Sequence, residues 1–259
     1  MKRIVYAIAQ KTLEFLENLM PNYGYILMFH EIKEELQFCQ DLRYCISMSS
    51  FEKMISELEE NQTRFCAISE VLQSKKPANV FITFDDGYED IYSTAYPILK
   101  KKRIPFTVFI TTEFIGKDGY LTLQMLKELA QEPLCTIGAH SVSHPRLREC
   151  NKKQLVDEIH GSKYYIETFT NQTVSIFAYP YGSVYACSLE SIRETKNAGY
   201  MLAFSTLNAH MNPLPNHLRY FIPRISVNES NYKSITKLII ESTDEDVTKE
   251  KRMGNPSLD

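Results

Sequence analysis

Two carboxylates stand side by side at Asp85 and Asp86, directly after the apolar run Val80-Phe81-Ile82-Thr83-Phe84. A buried strand that ends in charge is where α/β folds place reactive groups. Neighbouring carboxylates in a cleft repel each other, and a divalent cation resolves the conflict by binding one while the other stays free to take a proton. With Gly87 behind them, the same residues also make a good strand-ending turn. A second cluster, Gly138-Ala139-His140-Ser141-Val142-Ser143-His144-Pro145, follows another apolar run. Two imidazoles four residues apart can converge on one ion from a helix turn or a tight loop, and neutral imidazole is a preferred zinc ligand. The chain holds only 6 histidines, so a pair at this spacing is informative.

Two further strand ends carry polar groups. Phe177-Ala178-Tyr179 runs into Pro180-Tyr181-Gly182, a turn that can aim a backbone N–H at the site, with Tyr181 as the donor proposed for an oxyanion hole. Tyr25-Ile26-Leu27-Met28-Phe29 delivers His30 at its carboxyl end, in a setting that also suits a structural histidine. Arg224, inside Ile222-Pro223-Arg224-Ile225, is a charge in an apolar strand and is expected to pair with a buried carboxylate.

These groups need elements to hold them. Short runs rich in Val, Ile, Phe and Tyr predict strands at 25–29, 80–84, 106–110, 136–139, 174–179, 201–205 and 221–227. Between most of them, helical patterns cover 51–60, 91–102, 122–131, 152–168 and 188–197, the first with Ser49 and Glu52 as a capping box. Strands alternating with helices imply a mostly parallel sheet, and the near-continuous apolar character of the strands fits burial on both faces. Leu13, Leu16 and Leu19 recur at helical spacing ahead of Pro21, so 1–20 reads as an amphipathic helix, 21–240 as the catalytic domain and 241–259 as a polar tail.

The bulk numbers set the outer limits. At 259 residues the chain fits one α/β domain, and 44% hydrophobic with 24% charged residues is an ordinary globular balance. A formal net charge of -3 gives no electrostatic footprint for nucleic acid. No stretch is long enough to span a bilayer, and Gln10, Lys11, Glu14 and Glu17 break the amino-terminal apolar run too early for an export signal. A cytoplasmic or peripherally membrane-associated protein is therefore expected, with its 6 cysteines as free thiols.

The order Thr83-Phe84-Asp85-Asp86-Gly87, then His140-Ser141 with His144-Pro145 and Leu147, then Tyr179-Pro180-Tyr181-Gly182, resembles the polysaccharide deacetylases of carbohydrate esterase family 4. The resemblance covers residues 25–227 and implies an α/β fold, a distorted (β/α) barrel of about seven parallel strands. It implies Asp85 as general base, Asp86, His140 and His144 as ligands of a divalent metal, and Tyr181 as the backbone oxyanion donor. Zinc suits that donor set best, while cobalt, nickel or iron would fit it. Ala178 stands where the family commonly has an arginine, and no late Leu-x-His motif is evident. The early Ile26-Leu27-Met28-Phe29-His30 resembles the circularly permuted branch that includes poly-N-acetylglucosamine deacetylases, which implies His30 as general acid. His210 and His217 compete for that role, and Arg224 is read as replacing the missing arginine in orienting Asp85.

The implied substrate is an N-acetylated glycan. Two rivals stand beside this reading: a deacetylase or esterase for a small or lipid-linked acetylated sugar, and a catalytically silent carbohydrate-binding barrel. A glycosidase fits less well, because carboxylates adjacent in sequence do not flank one bond.

Overall fold

β-Branched and aromatic runs set the strands, and the intervening helices return the chain to the same end of the sheet. The computed structural model describes residues 2–19, 22–212 and 218–253. In chain order the elements are α1 (Lys2–Asn18), β1 (Tyr25–Phe29), β2 (Glu31–Lys33), β3 (Cys45–Ser47), α2 (Met48–Glu60), β4 (Arg64–Phe65), β5 (Asn79–Phe84), α3 (Tyr96–Lys102), β6 (Phe106–Ile110), α4 (Leu123–Gln131), β7 (Cys135–Ala139), α5 (Lys152–Thr170), β8 (Ile176–Ala178), α6 (Leu189–Asn197), β9 (Leu202–Phe204), β10 (Ile225–Ser226) and α7 (Tyr232–Met253).

Seven strands run in the order β10-β1-β5-β6-β7-β8-β9, with β4 beside the start of β5. Every neighbouring pair is parallel. A bridge between Phe204 and Ile222, just upstream of β10, brings the two edges of the curled sheet together. The α/β barrel expected from the sequence is the fold found. A separate parallel pair, β2 with β3, lies outside this sheet and has no counterpart in the sequence reading.

Alternation along each strand divides the core in two. Tyr25, Leu27 and Phe29 of β1 join Val80, Ile82 and Phe84 of β5 in the larger cluster, which also takes in Phe51, Ile55 and Leu58 of α2. Ile26, Phe81, Phe109, Ala178 and Phe204 pack together in the smaller one. Both faces of the strands are thus buried, which is why they read as continuous apolar runs. Gly138 of β7 is part of this packing: a Cβ there would lie 2.5 Å from Phe109 Cδ1.

Local details differ from the sequence reading. The cap of α2 is Ser47, whose hydroxyl accepts from Ser50 N at 3.2 Å, rather than Ser49. The predicted helix over 91–102 opens with a wide turn over Ile91–Ala95 before α3, closed by Tyr96 N donating to Ile91 O. Pro97 follows immediately and has no N–H to continue the regular ladder. The six expected free thiols are corrected, because Cys39 and Cys45 form a disulfide with their Cα atoms 6.0 Å apart. Cys66, Cys135, Cys150 and Cys187 are free. α7 continues to Met253, across position 241 where the polar tail was placed, and Thr243 is buried in it. Among the described residues no helix is long and apolar enough to cross a membrane.

Candidate active site and metal centre

The carboxyl ends of β1, β5, β7 and β8 open onto one cleft of about 590 Å³, within the usual range for ligand sites. His30 follows β1, Asp85 and Asp86 follow β5, His140 and His144 follow β7, and Tyr181 follows β8. All six line that cleft. Four non-glycine residues at these strand ends hold positive φ: Asp86 at 70°, Ser141 at 67°, His144 at 61° and Tyr181 at 58°. Such backbone costs about 1–3 kcal/mol per residue and persists only where surrounding contacts impose it.

Asp86 Oδ1 lies 3.4 Å from His140 Nε2 and 3.3 Å from His144 Nε2. One ligand atom from each of the three residues falls within 4.8 Å of the others. Asp86 Oδ1 is buried and has no hydrogen-bond donor, the signature of an oxygen built to face a cation. His140 Nδ1 is 2.7 Å from the carbonyl of Ala178, to which it donates, and that tautomer leaves the Nε2 lone pair free for a metal. Burial pushes His140 down to about 3, and burial likewise lowers His144. Both imidazoles are therefore neutral, as a metal ligand must be. Burial, and then the charge of Asp85, pushes Asp86 up to about 8. The donor set fits a divalent ion, whose charge would offset that conflict.

Asp85 has the opposite environment. Burial alone would raise its pKa, but the charge and hydrogen bonds of the Arg224 guanidinium hold it far below the usual carboxylate range. Arg224 donates to both oxygens of Asp85, each at 2.7 Å. It also donates to Thr83 Oγ1 at 3.2 Å and to Ser205 O at 3.0 Å. The guanidinium is fully buried, with Phe109 5.3 Å away.

His30 faces the same cleft, and its Nδ1 is buried with no hydrogen-bond partner among the described residues. Burial lowers it to about 4, against the opposing pull of Asp85. The Tyr181 turn is fixed from behind by Thr206, whose hydroxyl donates to Tyr181 O at 2.9 Å and whose N donates to Gly182 O at 3.0 Å. Gly182, at φ 45°, sits so close to Thr206 that a Cβ would come within 2.6 Å of its backbone nitrogen. His210 lies elsewhere, in a second cavity with Tyr25 and Asn22, and His217 lies outside the described residues.

Sequence reasoning missed the groups that brace these residues. Glu158 of α5 accepts from Val142 N and Ser143 N, both at 2.9 Å, and from Ser143 Oγ at 2.6 Å, pinning the loop between the two histidines. Ser141 Oγ accepts from His144 N at 3.0 Å. Glu31, 1% exposed, reaches the cleft wall from β2. Tyr44, Tyr88, Phe114 and Tyr120 supply an aromatic lining to a chain with no tryptophan.

Residues 72–203 match the family described as polysaccharide deacetylase. The poly-beta-1,6-N-acetyl-D-glucosamine N-deacetylase of Staphylococcus aureus (strain MRSA252) is 32% identical over 212 residues, which is 75% of this chain and 71% of that protein. Among solved structures, a polysaccharide deacetylase from Bacillus cereus superposes with a TM-score of 0.73 at 21% identity, covering 83% of this chain and 68% of that one. IcaB from Ammonifex degensii superposes with a TM-score of 0.70 at 21% identity, covering 85% and 98%. The family match contains Asp85, Asp86, His140, His144 and Tyr181, while His30 and Arg224 fall outside it.

Proposed function

Since the chain belongs to the polysaccharide deacetylase family, we propose that it is a metal-dependent hydrolase removing N-acetyl groups from an N-acetylglucosamine-type glycan. One observation carries the reading. A buried, donor-free carboxylate oxygen faces two neutral imidazole nitrogens, beside a second carboxylate kept ionised by a buried arginine. Asp86, His140 and His144 would hold the ion, with zinc the best match to two imidazoles and one carboxylate. Bound there, a divalent ion supplies Lewis acidity, polarising the acetamide carbonyl and acidifying a water enough for a weak base to serve.

Asp85 is that base. Its bidentate pairing with Arg224 sacrifices basicity but fixes the carboxylate, and orientation is the larger contribution when the water is already acidic. As the water oxygen bonds to the acetyl carbon, its proton passes to Asp85. The N–H of Tyr181 stabilises the oxyanion left on the former carbonyl oxygen. The C–N bond then breaks as His30 delivers a proton to the sugar nitrogen, releasing acetate and a free amine. His30 is neutral at rest, so it takes up that proton from solvent as negative charge develops beside it, and Asp85 returns its proton to solvent once the products leave.

The test is acetate release from N-acetylglucosamine oligomers by metal-loaded protein, with Asp85→Asn alongside. The variant should keep its metal and lose turnover by about 10²–10⁴-fold. A wild-type protein that binds metal but frees no acetate from any oligomer would remove the proposal.

A further inference from the structure

The loop between β2 and β3 is a short, largely exposed segment held by several ties. The Cys39–Cys45 disulfide closes it. The buried Glu31 carboxylate accepts from Gln40 N at 2.9 Å and Asp41 N at 3.4 Å. Asp41 Oδ1 accepts from Arg43 N at 3.0 Å, and Tyr44 N donates to Asp41 O at 3.0 Å. Glu31 N donates to Tyr44 O at 3.2 Å, and Asn228 Nδ2 donates to Arg43 O at 2.9 Å. The Glu31 carboxylate is buried and also pairs with Lys33 at 3.5 Å, so the loop is anchored on a charge held inside the fold.

What the ties fix is Tyr44. Its ring lies 4.9 Å from the His30 ring and lines the cleft, yet 42% of the residue is exposed. The other aromatic rings of the cleft are engaged with each other or with the metal histidines. Tyr88 and Tyr120 stack at 4.8 Å, Phe114 lies 4.7 Å from Tyr120, and Tyr181, although 48% exposed, is flanked by His144 and Arg146 at 4.7 and 4.6 Å. Arg43 is 5.5 Å from the Tyr44 ring but is exposed and paired with Asp41. A pyranose presents a face of C–H groups, for which a rigid, partly exposed aromatic ring is the natural support.

Resting on the deacetylase reading, we propose that Tyr44 is a specificity-determining residue. Its ring is the platform for a sugar unit of the glycan on the His30 side of the cleft, and the Cys39–Cys45 staple holds it in place. The loss of such a contact costs an extended substrate more than a small ester that does not reach the platform.

Metal-loaded wild type, Tyr44→Ala, Tyr44→Phe and the paired Cys39→Ser/Cys45→Ser variant are compared on an N-acetylglucosamine oligomer and on 4-nitrophenyl acetate. Metal content and melting temperature verify that each is folded. Tyr44→Ala should raise KM for the oligomer and lower the oligomer-to-ester ratio of kcat/KM about tenfold, the scale of one aromatic contact. Tyr44→Phe should restore the ratio, and the cysteine pair should shift it in the same direction as Tyr44→Ala. An unchanged ratio in Tyr44→Ala, a Phe variant that does not restore it, or equal losses on both substrates with a shifted pH profile would overturn the inference. A wild type that cleaves the ester but no oligomer would instead overturn the deacetylase reading, and the inference with it.

Discussion

Replacing Arg224 by methionine tests how the active site holds a buried anion. The guanidinium is fully buried and gives hydrogen bonds to Asp85 Oδ1, Asp85 Oδ2, Thr83 Oγ1 and Ser205 O. Methionine fills much of the same space and provides none of them, so Asp85 is left buried, charged and beside Asp86. Removing one partner of a buried ion pair costs about 3–5 kcal/mol. For a chain of this size that corresponds to a fall in melting temperature of roughly 6–20 °C.

The pH dependence gives the sign. With Arg224 present, Asp85 has a depressed pKa, so its stabilising contribution is complete above the unfolded value of about 3.9 and is lost only as pH falls through the folded value. Without Arg224, burial dominates and the folded pKa rises above about 3.9, so destabilisation grows as pH rises through that interval. The stability gap between wild type and Arg224→Met should therefore be full at pH 7 and narrow towards pH 4. Denaturant titrations of both proteins, and of Arg224→Met/Asp85→Asn, measure it. The double variant removes the stranded charge and should recover part of the loss. A loss under about 1 kcal/mol, or a gap independent of pH, would refute the argument that the pair is what keeps Asp85 ionised.

His30→Ala should bind metal normally and lose amide hydrolysis by about 10²–10⁴-fold, while keeping much more activity on an activated aryl acetate whose leaving group needs no proton. Equal losses on the two substrates would reduce His30 to a structural role. Glu158→Ala removes three hydrogen bonds from the loop carrying His140 and His144, and should weaken metal affinity by about 10–100-fold as measured by chelator competition. Unaltered affinity would show that the loop holds its shape without the carboxylate.

Much of the barrel was legible because strands buried on both faces leave a readable mark: short, nearly continuous apolar runs that end at or are broken by a polar group. Asp85, His140 and Arg224 stand out against such runs. The bracing groups do not. Glu158 lies on an amphipathic helix and Glu31 beside further acidic residues, where a carboxylate in sequence looks like any solvated charge. The choice of Ser47 over Ser49 as the cap of α2 is likewise made from far away: Glu229 accepts from Ser47 N at 2.9 Å, Ser47 Oγ at 3.0 Å and Ser50 Oγ at 2.7 Å. Nothing in the spacing of the cysteines announces that Cys39 and Cys45 meet, since the fold of the loop between them decides it. Tyr44, one of 16 tyrosines, gains its position only through that loop.

The candidate metal site is assembled at the expense of the fold, and that leads to a last test. Asp86 combines positive φ, a buried oxygen without a donor and a carboxylate neighbour. Its pKa, pushed up to about 8, lies above the unfolded value of about 3.9, so without metal the protein loses stability as pH rises between those values. Asparagine at this position keeps the size, removes the charge and, among non-glycine residues, tolerates left-handed backbone well. Asp86→Asn should therefore make the metal-free protein more stable than metal-free wild type at pH 8, while abolishing the gain on adding metal. That gain in wild type should reach about 2.7 kcal/mol at a free metal concentration one hundred times Kd. Thermal melts of chelated and metal-loaded forms of both proteins at pH 5 and pH 8 separate the two effects. If the chelated Asp86→Asn protein were the less stable of the two at pH 8, the carboxylate would have to be a structural asset, and the claim that a cation is needed to settle it would fall.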